Sequence, residues 1–200
     1  MLTLFYAPRT RSNRPRWALE ELGVPYELVR LDMAEGEHRS PEYLEIHPLG
    51  LVPALQDGDR TIIESAAICM YLADRFPEKG LAPPPVLRGI YHQWCIYTVV
   101  TLEEPLVQIF TQTVRLPPEQ RSLMAEMNAR ERASAAIFPL ERMLSGQEYA
   151  LASGFSMVDI LLAGVLWFGE NVGALYNRPA CQAYVRKCRS RPAYARAIAD

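Results

Sequence analysis

The four cysteines of this sequence form no Cys-x-x-Cys pair, and no histidine stands at metal-ligand spacing from any of them. That excludes a dithiol redox motif and the usual structural zinc patterns. Cys69 and Cys95 fall inside apolar helical patterns, where a buried, inert thiol is the ordinary outcome. Charge of one sign is also missing. Acidic and basic residues are interspersed, the formal net charge is −2, and no basic block offers the footprint of a nucleic-acid binder. The longest apolar run, Ile160 to Phe168, is about half of what a bilayer crossing needs. The apolar start Met1–Tyr6 is too short for a signal-peptide core, and Arg9 and Arg11 follow it instead of preceding it. A cytoplasmic location without membrane contact is therefore expected. Internal repeats and low-complexity tracts are absent.

What remains is the composition of a packed globular protein, 50% apolar and 22% charged over 200 residues, enough for one large domain or two small ones. Leu2–Tyr6 reads as a strand ended by Pro8, and Arg16–Leu22 as a helix stopped by Gly23. Tyr26–Leu31 reads as a second strand. Ser40-Pro41-Glu42 opens a short helix through Ile46, with serine as cap and proline at the first helical position. Two brief strands, Val52–Gln56 and Thr61–Ile63, flank the hairpin signal Asp57-Gly58-Asp59. Ser65 then caps a helix that Pro77 ends. The order predicts a parallel βαβ unit followed by an antiparallel hairpin and a covering helix.

Pro83-Pro84-Pro85 breaks that pattern, and everything beyond it reads as helix: Leu87–Thr113, Pro118–Ser145, Ser156–Asn171, and Arg178–Ala199 divided near Pro192. The sequence thus predicts an α/β domain over 1–78, a linker over 79–86 and an all-helical domain over 87–200. Ser156-Met157-Val158-Asp159 is a capping box, with Phe155 and Ile160 placed to staple it. Its role is in folding.

Three constellations carry chemistry. In Leu49-Gly50-Leu51-Val52-Pro53-Ala54-Leu55, a proline opens a strand. Either it is a trans proline on an edge, or a cis Val52–Pro53 bond turns the Val52 backbone outward to pair with an extended peptide. At Glu64-Ser65, a strand end meets a helix start. The pair is either a plain cap or a site for a zwitterionic head group, with helix N–H groups and the Ser65 hydroxyl for a carboxylate and Glu64 for an ammonium. In the turn Ala7-Pro8-Arg9-Thr10-Arg11-Ser12-Asn13, a hydroxyl at the start of a helix either caps it or donates to a thiolate and lowers its pKa.

These elements, in this order and frame, resemble the cytosolic glutathione transferase superfamily, and the resemblance covers nearly the whole chain. Its most specific parts are Tyr43-Leu44, His47-Pro48-Leu49-Gly50, Val52-Pro53-Ala54-Leu55, Glu64-Ser65-Ala66-Ala67-Ile68 with Tyr71-Leu72, and Phe155-Ser156 with Asp159. The first turn is most similar to bacterial theta, nu and beta-like branches. The resemblance implies a thioredoxin-like βαβ-ββα domain, an all-helical domain and a homodimer. It implies glutathione as co-substrate, with neither metal nor prosthetic group, and a small apolar electrophile as its partner.

Residue by residue, the resemblance assigns Pro53 as the cis proline and Val52 as the backbone partner of the cysteinyl unit. Glu64 and Ser65 would hold the γ-glutamyl ammonium and carboxylate, and His38 would lie near the glycyl carboxylate. Ser12 would stabilise the thiolate, with Thr10 and Tyr6 as alternative donors. Tyr6, Arg11, Tyr97 and Thr101 are expected to wall the electrophile pocket. Leu51 replaces a common lysine, His47 a common asparagine, and Arg11 the cysteine of beta-like members, which argues against a mixed-disulfide route. A glutathione-dependent isomerase, dehalogenase or peroxidase, or a non-catalytic binding protein, stays open on the same frame.

Overall fold

The computed structural model describes residues 1–199. Its elements are β1 (Leu2–Tyr6), α1 (Asn13–Leu22), β2 (Tyr26–Arg30), α2 (Pro41–Ile46), β3 (Ala54–Asp57), β4 (Arg60–Ile63) and α3 (Ser65–Arg75). After these come α4 (Arg88–Ile96), α5 (Glu103–Phe110), α6 (Leu123–Leu144), α7 (Met157–Asn171), α8 (Pro179–Arg189) and α9 (Pro192–Ala197). Wider π-type turns over Tyr97–Leu102 and Thr111–Arg115 link and extend α4 and α5.

The four strands form one sheet in the order β2-β1-β3-β4. β1 pairs parallel with β2, while β3 is antiparallel to both β1 and β4. Leu2, Leu4 and Tyr6 alternate inward, as period-two patterning requires of a half-buried strand. Trp17 and Leu19 of α1 and Ile68 and Leu72 of α3 are fully enclosed with Leu4 and Leu55 of the sheet. Pro53 supplies no N–H, and β3 begins only at Ala54, one residue beyond it and two later than the sequence suggests.

Two compact units emerge: residues 1–82 together with the segment from Ser190 onward, and residues 83–189. This corrects the expectation that the helical domain runs through 87–200. The physical reason lies on α1. Arg191 places Nε and Nη2 2.6 and 2.8 Å from the Glu21 carboxylate, Arg196 donates to Glu20 at 2.7 Å, and Tyr194 packs edge-on against Trp17 with ring centroids 4.9 Å apart.

In the second unit α7 is buried almost all round, including Val158, Ile160, Leu161, Leu162, Val165 and Leu166. Each such side chain contributes roughly 1.5–3 kcal/mol. Gly169 lets α5 come close, since a Cβ there would stand 3.2 Å from Leu106. The capping box forms as patterned: Ser156 precedes the helix, and Asp159 returns a carboxylate oxygen to its N–H at 2.8 Å. Asp159 also accepts from the Ala150 N–H at 2.8 Å and the Tyr184 hydroxyl at 2.7 Å. Helix α6 starts at Leu123, not Pro118, because Ser122 caps it through the Ala125 N–H. Among the described residues no helix is long and apolar enough to cross a membrane.

Candidate functional site

Strand register gathers the three constellations at one end of the sheet. Phe5 pairs with Ala54, so the turn after β1 lies beside Pro53. Ala54 in turn pairs with Ile63, which brings Glu64 and Ser65 next to the same point. The Leu31 N–H bonds the Tyr6 carbonyl at 2.9 Å, and the loop carrying His38 departs from there.

The Val52–Pro53 bond is cis. Among the described residues no backbone hydrogen bond engages the Val52 N–H or C=O, so both remain available to an extended chain. The preceding loop is fixed from below. Tyr43 donates its hydroxyl to the Leu51 carbonyl at 2.6 Å, and buried His47 accepts the Leu49 N–H at Nδ1, 3.3 Å away. Gly50 adopts φ +58°, and a Cβ there would stand 2.7 Å from the His38 carbonyl oxygen. Only glycine suits both constraints, and its closeness holds the His38 and Val52 loops together. His38 is half-buried in a short 3₁₀ turn, and its Nδ1 is enclosed without a partner among the described residues.

The sequence takes Ser65 as the helix cap; the structure gives that place to Glu64. Glu64 holds φ +70°, a left-handed conformation disfavoured for a residue with a Cβ. Ser65 is the first helical residue and its hydroxyl serves no cap. Instead, Ser65 Oγ accepts from Arg14 Nη1 at 3.3 Å. Ser65 and Arg14 are 5% and 7% exposed, whereas Glu64 stands in solvent. Nothing in the pattern of α1 singles out Arg14, because the partner that gives it meaning lies 51 residues away.

The first turn departs furthest from expectation. Arg9 sits at φ +60°, tightening the chain so that Thr10 folds back. Thr10 Oγ1 lies 2.7 Å from the Ala7 carbonyl and 2.8 Å from Ser12 Oγ, and it accepts the Ser12 N–H at 3.2 Å. Ser12 has no exposed surface, and its neighbour Thr10 is half-exposed. Thr10 has a single hydroxyl hydrogen. When the Ala7 carbonyl takes it, Ser12 becomes the donor within the hydroxyl pair. Tyr6 is buried on the inner face of β1 with the Arg16 guanidinium 5.0 Å above its ring. Arg11 is exposed beside Thr10.

Tyr97 and Thr101 belong to the other unit. They line a groove of about 450 Å³ together with Val100, Pro105, Arg132 and Ala135. The Tyr97 hydroxyl donates to the Ala136 carbonyl at 2.8 Å, and burial raises its pKa. All four cysteines are buried. Burial pushes the Cys95 thiol up to about 12 and raises that of Cys181 as well, so these groups stay protonated and inert. Among the described residues no group of three or more His, Cys, Asp or Glu side chains is placed to hold a metal ion.

Residues 1–74 match the family model of the glutathione S-transferase N-terminal domain. A glutathione S-transferase of Arabidopsis thaliana is 33% identical over 80% of this chain and 77% of its own length. GstB, a glutathione S-transferase of Escherichia coli, is 30% identical over 90% of this chain and 88% of its own. A sphingomonad glutathione S-transferase solved in complex with glutathione superposes with a TM-score of 0.84 at 30% identity, covering 98% of this chain and 96% of that one. Likeness of this extent, carried through both units, makes the chain a member of the cytosolic glutathione S-transferase superfamily.

Proposed function

We propose that this glutathione S-transferase adds the thiolate of glutathione to a small apolar electrophile at the open end of its sheet. The observation that carries the reading is the convergence there of a free backbone edge at Val52, an acid–hydroxyl pair at Glu64 and Ser65, and a hydroxyl pair at Thr10 and Ser12. Each part matches one part of the tripeptide. The Val52 N–H and C=O pair with the cysteinyl unit as an added strand. The Ser65 hydroxyl and the first amides of α3 take the γ-glutamyl carboxylate, and Glu64 takes the ammonium. His38 meets the glycyl carboxylate, where Leu51 has no charge to offer.

Activation is a two-hydroxyl relay in this reading. Thr10 turns its hydrogen from the Ala7 carbonyl to the sulfur, while the buried Ser12 donates to Thr10 Oγ1 and strengthens that bond. The thiol proton leaves to solvent, and the thiolate attacks the electrophilic carbon. A C–S bond forms as the leaving group departs, or as the electron pair is taken up by the acceptor. Arg11, exposed in the same turn as Thr10, walls the electrophile side in this reading. The relatives' names and the glutathione-bound sphingomonad structure support the same ligand here.

The proposal extends to a homodimer. Val86, Ile90 and Val100 on the helical unit, and separately Leu49 and Leu51 on the first unit, are exposed apolar side chains that a partner subunit could cover. Light scattering should return twice the 22.6 kDa chain mass.

The test of the thiol relay is the thiolate absorbance of the bound glutathione as a function of pH. Losing a hydrogen bond to a charged acceptor should raise the bound thiol's pKa by about 1–2 units in Thr10→Val, and by roughly half as much in Ser12→Ala. An unchanged titration in both would remove the pair from this role. Calorimetry showing no glutathione binding at millimolar concentration would sink the whole reading.

A further inference from the structure

Within the helical unit, a cavity of about 180 Å³ opens beside the C-terminal end of α7. Fully buried Ile109 lines it from α5. Arg130 and Ser134 line it from α6, four residues apart and so on one face of that helix. Gly173, Ala174 and Arg178 line it from the segment between α7 and α8.

The two arginines are held differently. Arg130 pairs through Nε with Glu126 at 2.8 Å, and its Nη1 lies 3.4 Å from the Val172 carbonyl. That is the ordinary place of a cation closing a helix C-terminus. Arg178 does not close α7 in this way. Its Nη2 donates to Ser134 Oγ at 3.0 Å, and among the described residues its side chain makes no other hydrogen bond and no ion pair. Glu141 feels the Arg178 charge, but its two oxygens already accept the Ala180 and Cys181 N–H groups. Ser134 Oγ accepts from Arg178 and keeps its own hydrogen, which no acceptor takes among the described residues. The Gly173 and Ala174 N–H groups are engaged by the Glu170 and Gly169 carbonyls at 3.0 and 2.8 Å. Side-chain donors from two segments thus share the cavity, and Glu126 is the one carboxylate in contact with either guanidinium.

We propose that this cavity binds a phosphate group, as free phosphate or as a small phosphate monoester. Phosphate oxygens accept from donors that arrive from several directions, whereas a planar carboxylate is satisfied by one guanidinium edge. The volume is below the roughly 300 Å³ at which sites for drug-sized molecules begin. It suits one small tetrahedral anion with a water or two, at about 30 Å³ each. Arg178 brings the charge that lacks a contact partner, Arg130 a charge shared with Glu126, and Ser134 a neutral donor.

Amide NMR spectra of the isotope-labelled full chain test it, titrated at constant ionic strength with phosphate, methyl phosphate and acetate. Saturable shifts at the Gly173 and Ala174 amides are expected for phosphate, with a Kd on the order of 1 mM. Tighter binding of methyl phosphate would support the proposal with an ester as the ligand, and equal or weaker binding would support it with the free ion. Arg178→Gln should weaken phosphate about tenfold or more, the loss of a charge-assisted bond. Arg130→Gln and Ser134→Ala should each weaken it about threefold, nearer the worth of a neutral bond. Arg130 and Ser134 are exposed, so these two variants carry the test if Arg178→Gln does not fold.

Shifts that stay linear in phosphate, acetate binding as tightly as phosphate, or variants that titrate like the parent would overturn the proposal. The glutathione reading stands apart from all of these outcomes, because none of the cavity's residues belongs to the thiol site.

Discussion

Replacing Asp159 by alanine should cost more stability than any other single polar change in the helical unit. The carboxylate accepts four hydrogen bonds: the N–H groups of Ala150 and Ser156, the Ser156 hydroxyl and the Tyr184 hydroxyl. The two hydroxyls can rotate to other acceptors, but the two N–H groups are fixed by the backbone. A buried donor without a partner costs about 1–3 kcal/mol, so the pair amounts to roughly 2–6 kcal/mol. Against this, the variant no longer has to desolvate a carboxyl that is fully buried, which returns part of the loss. The net expectation is about 3 kcal/mol, within the range for breaking a buried charged cluster. For a protein of this size, that corresponds to a fall in Tm of roughly 6–12 °C.

Urea unfolding followed by circular dichroism, with a thermal scan alongside, measures both quantities. The pH dependence gives an independent check. Burial raises the Asp159 pKa, and the donors from Ala150, Tyr184 and Ser156 only partly pull it back. A raised folded value means that this group's stabilisation is complete below its unfolded value of about 3.9 and is lost as the pH rises through the folded one. The advantage of the parent over Asp159→Asn should therefore be greatest near pH 4 and shrink toward neutrality. A loss below about 1 kcal/mol in Asp159→Ala, or an advantage that grows with pH, would refute the reasoning.

Gly50→Ala should lower stability by about 2 kcal/mol or more, since it combines a left-handed conformation with an overlap against the His38 carbonyl; chemical denaturation measures the first effect, and glutathione titration should show weaker binding as the two loops part. Glu141 receives the Ala180 and Cys181 N–H groups at 2.9 Å each and so caps α8 from α6. Burial disfavours its ionisation, yet those N–H groups outweigh it and leave the pKa lowered. Its contribution should be present above the unfolded value of about 4.3 and disappear as the pH falls through the folded one, and Glu141→Gln should flatten that acid limb in pH-dependent melts. Arg191→Ala should increase amide exchange in α1 without altering exchange in α7, as mass spectrometry of deuterium uptake would register.

The architecture is legible in the sequence wherever periodicity and punctuation agree. Alternation in Leu2–Tyr6, the Ser40-Pro41 start, the Asp57-Gly58-Asp59 hairpin and the Ser156–Asp159 box each state a local rule that tertiary packing does not overturn. What was not legible depends on orientation or distance. Ser12 carries the right chemistry at the right spacing, yet a spacing does not reveal which side of a first helical turn faces inward. Glu64 takes the cap position of α3 through a backbone angle that its side chain does not advertise. Arg14 reads as one more charged residue until a partner 51 positions on gives it a direction. The pairing of Glu21 with Arg191 spans 170 positions, beyond the reach of any local pattern, so the sequence alone groups the last helix with the helices before it.

That last pairing sets a timetable for biosynthesis. All four strands of the first unit leave the ribosome long before the segment that covers Trp17 and neutralises Glu20 and Glu21. At translation speeds of about 5–20 residues per second, the wait is on the order of 10 s. During that interval α1 carries an indole that lacks its Tyr194 neighbour, and two carboxylates held only by Trp17 and Tyr26 and still without their arginines.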